Sequence, residues 1–367
     1  MSAHLLRVVK ATMLAQCNGV QPASAALPSA RREESKMNAR ARFLETLHFG
    51  HPDRVPYYDH QILKDVVTRW QRTGLPPDVP VERFFNLDRW DVLMVREEPS
   101  LNVRPIPEFQ GPLRSRADFE RLKAAYDPYA PGRYPLEWDD MVRAWRNRDY
   151  PVGITAWRGM LLSLAVGGWP SLEDVMYGVY DCPELIDDAM EHVTDFMLAL
   201  IEKALNEVRF DYALLAEPIA SWHAPVVGPA TYRRHVLPGL RRAVDRLRAA
   251  GIDIIILETH GAVKPIIPLV LEAGVDTLWI GSARAAGIDY RELRKQFGKD
   301  LRLIGGLDVR VLEKDKQTIE REIMSVATPL LQQGGYVPMV DERVRSHISF
   351  ENYSYYRELI RRLAEGG

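Results

Sequence analysis

The sequence predicts an α/β fold, a single (β/α)8 TIM barrel, over residues 37–367. Three observations carry this reading. Short β-branched runs alternate with longer helical patterns, which argues for βαβ units on a parallel sheet. The runs number eight, which favours a closed barrel over an open doubly wound sheet. Four consecutive helical patterns end at a glycine just before the next run, where a helix C-cap glycine belongs. No Gly-x-Gly-x-x-Gly follows the early runs, so the dinucleotide-binding fingerprint is missing.

Residues 1–36 stand apart. They hold Ala and Ser clusters and several basic residues, with acids only at Glu33 and Glu34. The stretch LLRVVKATMLAQ is weakly amphipathic but lacks an apolar core followed by a small-residue cleavage site. It is expected to be a disordered extension, with Met37 as an alternative start.

The expected strands follow in order. They are 55–60 (VPYYDH), 90–95 (WDVLMV), 151–156 (PVGITA), 211–217 (DYALLAE), 253–260 (DIIILETH), 276–282 (DTLWIGS), 302–308 (RLIGGLD) and 335–341 (GYVPMVD). Several are apolar throughout their middles, as strands covered on both faces should be. Helical spacing is expected over 171–179 and 183–208, with Ser171 and Asp181 as caps. Four further helical patterns, 229–250, 263–273, 288–297 and 315–333, run into Gly251, Gly274, Gly298 and Gly334. The stretch 97–150 is rich in Pro, Arg and Tyr and reads as a long aperiodic excursion over the barrel mouth.

Composition excludes several classes. Lys+Arg (48) and Asp+Glu (50) nearly cancel, so no field for nucleic acid or an anionic membrane arises. No apolar run reaches the ~18 residues of a membrane span. Two cysteines, Cys17 and Cys182, cannot build a disulfide framework or a thiolate zinc cage. A cytoplasmic setting is expected, with a small-molecule substrate and no nucleic-acid or membrane partner.

In such a barrel the chemistry sits at the carboxyl ends of the strands. The first strand ends in Asp59 and His60, and the third runs into Trp157 and Arg158. The fourth ends at Glu217, and the fifth at Glu258 and His260. The seventh ends at Asp308, and the eighth at Asp341 and Glu342. Strand ends are often polar, but so many ionisable ends around one opening point to a functional ring. The sharpest element is Glu258-Thr259-His260-Gly261, because positions i and i+2 of a strand face the same way. With Glu342 across the mouth, a Glu, His, Glu set would hold a divalent metal such as zinc with one position open. The same residues would equally form an acid–histidine network without metal. His223 follows the fourth strand as a pocket residue or a loop histidine, and Arg158 suits a substrate anion or a structural ion pair. His235 and His192 read as surface residues.

These segments resemble the uroporphyrinogen decarboxylase superfamily. The matching text includes ARARFLETLHFGHPDRVPYYD, GGWPSLEDVMYGVYDCPELIDD, LLAEPIASWHAPVVGPATYRRHVLPGLRRAV, LIGGLDVRVL and GGYVPMVDERVRSHISFENYSYY, spanning about 39–363. The resemblance implies a (β/α)8 barrel. True decarboxylases of uroporphyrinogen carry a Met-Arg-Gln-Ala-Gly-Arg segment after the first strand, whose arginines bind substrate carboxylates. Here that place reads Tyr57-Tyr58-Asp59-His60-Gln61, and the family's late histidine falls on Glu342. Eight carboxylates would meet Asp59 rather than cations, which argues against uroporphyrinogen as substrate. The superfamily's methyltransferase branch, which works with corrinoid proteins, holds zinc on a His-x-Cys-Gly and a late Cys. By position these fall on Glu258, His260 and Glu342.

The resemblance therefore implies a corrinoid-linked methyltransferase-like enzyme acting on a small methylated compound. Glu258, His260 and Glu342 would hold metal or activate the leaving group, while Glu217, His223 and Asp308 orient substrate. Asp59, His60, Trp157, Arg158 and Asp341 would line the pocket. The alternatives are a decarboxylase of a smaller acid anchored by Arg158, and a ligand-binding barrel without chemistry.

Overall fold

The computed structural model describes residues 37–60, 62–94, 113–164 and 169–365. Residues 1–36 lie outside this range, as does the part of the 97–150 excursion before residue 113. Among the described residues seven strands form one sheet: β1 (Asp91–Met94), β2 (Val152–Trp157), β3 (Tyr212–Glu217), β4 (Ile255–His260), β5 (Thr277–Gly281), β6 (Arg302–Ile304) and β7 (Tyr336–Val337). All neighbours are parallel, and the hydrogen-bonded order is the chain order. The sheet curls. Trp90, just before β1, lies 5.6 Å by ring centroid from Trp279 of β5. On a flat sheet those strands would be about 19 Å apart.

The expected first strand, 55–60, pairs with no described strand. Its sequence is strand-like, but its backbone groups are taken elsewhere. Tyr57 donates its N–H to the Asp88 carboxylate and accepts from the Asp88 N–H, while Tyr58 O accepts from the Arg357 guanidinium. His60 N–H turns to its neighbour Asp59, and Pro56 has no N–H to offer. The segment still belongs to the interior, because Tyr58 stacks on Trp90 at 4.6 Å.

Two apolar layers result. The inner one joins Tyr58, Tyr212, Leu214, Ile254, Ile256, Trp279, Ile304, Val337 and Met339. Helix α1 (Ala39–Leu47) contributes Phe43 and Leu47 to it, closing the end where the strands begin. The outer layer is larger and lies between sheet and helices. It packs α2 (Trp169–Asp181), α3 (Pro183–Glu207), α4 (Leu237–Ala249), α5 (Tyr290–Phe297), α6 (Lys316–Gln333) and α7 (Phe350–Ala364). Among the described residues no helix is long and apolar enough to cross a membrane.

The glycine joints are as expected. Gly251, Gly274, Gly298 and Gly334 all have positive φ, the left-handed conformation that stops a helix. The caps of α2 and α3 differ. Asp181 lies inside α2, and α3 begins at Pro183 with no side-chain cap. The excursion is not structureless, since it holds helices Arg116–Ala125 and Trp138–Trp145. His235 is buried rather than on the surface, 2.6 Å from Asp187.

Candidate active site

Register decides which strand-end side chains reach the mouth. Leu214 pairs with Ile256 and Ala216 with Glu258, on the inner face. Leu215 pairs with Leu257 and Glu217 with Thr259, on the outer face. Glu258 and His260 therefore continue the inner row of Ile254 and Ile256 to the carboxyl end of β4, as the i, i+2 spacing predicts.

The chain after β7 brings Glu342 to the same place. His260 Nδ1 lies 3.4 Å from Glu342 Oε1, and Ser282 Oγ donates to that oxygen at 2.6 Å. The His260 and Glu342 side chains are 16% and 20% exposed, so neither is sealed off from solvent. Burial opposes the charge on His260, but the hydrogen bond and charge of Glu342, with Glu258 nearby, raise its pKa overall. Burial likewise opposes the Glu342 charge, yet the bond and charge of His260 and the Ser282 hydroxyl hold it down to about 2. Each partner favours the charged form of the other.

His60 completes the wall. Its ring centroid is 5.0 Å from that of Trp279, and its buried Nε2 has no hydrogen-bond partner among the described residues. Burial pushes its pKa down to about 4, against the pull of Glu342 and with the help of His260, Arg343 and Arg345. Burial raises Glu258, offset in part by His260 and Arg343.

The other expected site residues go elsewhere, each for an identifiable reason. A register shift between Thr155 and Trp157 turns Trp157 onto the outer face, paired with Leu215. There its indole N–H donates to Glu217 Oε2 at 3.2 Å, and Met160 N–H donates to Oε1 at 3.1 Å. Glu217 is thus fully buried behind the sheet, not in the mouth, and burial pushes it up to about 7. Asp59 turns toward α7, accepting from Tyr353 Oη at 2.8 Å with Arg357 at 3.5 Å. Asp308 caps the turn that follows and pairs with Arg310 at 2.7 Å. Asp341 is a clamp. It accepts the N–H groups of Val309 and Arg284, both at 3.1 Å, and burial pushes it up to about 7. Arg158 precedes the short helix Gly159–Ser163. His223 is exposed on the loop whose Ser221 carbonyl accepts from Ala262, so it stands at the rim.

The metal expectation is not supported by the donor geometry. Among the described residues no three His, Cys, Asp or Glu side chains gather closely enough to hold an ion. Glu342 meanwhile is engaged with His260 and Ser282. The contacts formed are those of a histidine–carboxylate pair backed by a serine hydroxyl.

Trp279, Gly281, Ser282, Arg343 and Arg345 were not singled out from sequence. Gly281 pairs with His260 across β4 and β5, and a Cβ there would overlap the imidazole at Nδ1 and Cε1. Its backbone needs no glycine, since its φ is not in the left-handed region. The missing side chain makes room for the ring.

Comparison with known proteins agrees with this architecture. The chain is 25% identical over 288 residues to a uroporphyrinogen decarboxylase of Syntrophotalea carbinolica, covering 75% of this chain and 78% of that one. It is 27% identical over 243 residues to one from Streptomyces coelicolor, 63% of each chain. A methyltransferase from Methanosarcina mazei superposes with a TM-score of 0.56 at 14% identity, covering 89% of this chain and 99% of that one, a likeness of fold. The family model for uroporphyrinogen decarboxylase (URO-D) matches residues 100–363, most of the chain. The chain belongs to the uroporphyrinogen decarboxylase family.

Proposed function

We propose that this protein is a methyltransferase-like member of the family, one that protonates the leaving atom of a small methylated substrate at the mouth of the barrel. The observation that carries the reading is the His260–Glu342 pair with Ser282 behind it. Removing a methyl group from oxygen, nitrogen or sulfur leaves the bonding electron pair on that atom. A proton donor that neutralises the developing charge lowers the barrier. With Nδ1 engaged by Glu342, His260 gives its proton from Nε2 and recovers it from solvent. Glu342 stays ionised, orients the ring and stabilises the imidazolium, while Ser282 fixes the carboxylate. The methyl acceptor is a second substrate, a reduced corrinoid carried by a partner protein. The coincidence of Glu258, His260 and Glu342 with the ligand positions of the methyltransferase branch supports that choice.

A second reading, decarboxylation of a smaller carboxylic acid, is favoured by the decarboxylase relatives. His260 would then protonate the carbanion left by CO2. One experiment separates the readings. Purified protein is incubated with cob(I)alamin and a panel of methoxy, methylamino and methylthio compounds, and methylcobalamin is followed by absorbance. CO2 release is measured in parallel from a panel of small acids. Methylcobalamin that disappears with His260→Ala is the expected result. CO2 release without methylcobalamin would favour the second reading, and neither product would point to a barrel that only binds its ligand.

A further inference from the structure

The segment after β7 carries a cation, Arg345, that pairs with no described residue. It is pinned at both ends. Asp341 and Glu342 are held by the contacts above, and Ile348 O accepts the indole N–H of Trp70 at 2.9 Å. Between these anchors stands Arg345, partly buried. Its guanidinium makes no hydrogen bond or ion pair with any described residue. Three other arginines are committed: Arg284 to Asp289 and Glu322, Arg310 to Asp308, and Arg357 to Asp59. The charge of Arg345 falls on His60 and on Arg343, both in the mouth. A half-buried cation that no described residue neutralises costs free energy unless an anion joins it.

We infer that the substrate carries a single carboxylate and that Arg345 receives it at the mouth beside His60. The guanidinium fork matches two carboxylate oxygens, with two parallel N–H···O bonds. The fork suits a planar carboxylate, and one guanidinium answers one such group. The surroundings favour a flat ligand. The rings of His60 and Trp279 form one wall, and the buried Trp279 Nε1 and His60 Nε2 find no partner in the described protein. Arg345 thus replaces, from the opposite end of the chain, the carboxylate-binding arginines missing after residue 56.

The inference rests on the mouth being the substrate site, as proposed above, but its test reads binding rather than turnover. The probe is 4-methoxybenzoate, compared with the uncharged 4-methoxybenzyl alcohol, by titration calorimetry on the full chain. The wild type should bind the acid roughly tenfold or more tighter than the alcohol. Arg345→Ala should erase that preference. Arg345→Lys should restore part of it, since an ammonium keeps the charge but loses the fork. A melting curve shows whether each variant is folded, and Arg345→Lys carries the test if the alanine variant is not. Equal binding of acid and alcohol, an unchanged preference in the variants, or no binding of the acid up to about 10 mM would overturn the inference. Arg345-dependent binding without methyl transfer would leave it standing and fault only the methyl-transfer reading.

Discussion

Glu217 and Glu258 end adjacent strands and differ by one step of register, and that step gives them opposite environments. Glu217 pairs with Thr259 and points outward, fully buried, with two N–H groups filling its oxygens. Glu258 pairs with Ala216 and points inward, partly exposed, with no hydrogen bond to any described residue. The outer carboxylate is consumed by the fold, while the inner one is not. An ionisable strand end is therefore a candidate for chemistry only when its parity puts it inside.

Substitutions on the two faces should separate accordingly. The largest effect belongs to the inner face. His260→Ala should lower kcat by ~10²–10⁴-fold while leaving the melting temperature nearly unchanged, the range for loss of a positioned proton donor. Equal loss of stability and activity would mean that His260 is a packing residue. Gly281→Ala comes next. By pushing the imidazole off Glu342 it should cost roughly tenfold to a hundredfold in kcat, as small misplacements do. It should also lower the melting temperature, and His260→Ala in the same chain should restore it by removing the overlapping ring. No recovery in the double variant would show that the glycine serves the backbone instead.

On the outer face, Glu217→Gln should leave kcat within about twofold, since no substrate reaches this side chain. Its effect should appear in stability against pH. Glu217 is pushed up to about 7 from an ordinary 4.5, so between those values the folded chain holds a proton that the unfolded chain has lost. That contribution is full below pH 4.5 and is lost as pH rises through 7. Glutamine cannot titrate, so the variant's melting temperature should fall less over this window. Asp341, also pushed to about 7, keeps its own slope in both proteins. The smallest effect belongs to the outermost surface. Glu272→Ala removes the shared partner of Arg233 and Arg241 from two exposed ion pairs and should barely move the melting temperature.

What could be read from sequence, and what could not, follows the same division. The helix–glycine–strand joints were legible because only glycine takes the left-handed turn cheaply, and all four have positive φ. The inner row of β4 was legible because alternation holds along an unbroken strand. Trp157 was not, because the shift at Thr155 breaks alternation where it mattered. Segment 55–60 looked like a strand because its residue types suit one, yet Asp88 and Arg357, distant in sequence, take its backbone groups. In the excursion, Trp138, Val142 and Trp145 do repeat at helical spacing, but the surrounding Pro and Tyr hid a helix of eight residues. Gly281 could be found only once register set it opposite His260. Arg345 could be found only once its neighbours were seen to be paired.

The central claim is that Glu342 makes His260 a proton donor, and a titration of the His260 imidazole by NMR tests it without knowledge of the substrate. The wild-type ring should titrate above the ordinary histidine value of about 6.5, and Glu342→Gln should bring it down, because burial then acts without the opposing carboxylate. A wild-type value below 6.5, or one that Glu342→Gln leaves unchanged, would contradict it.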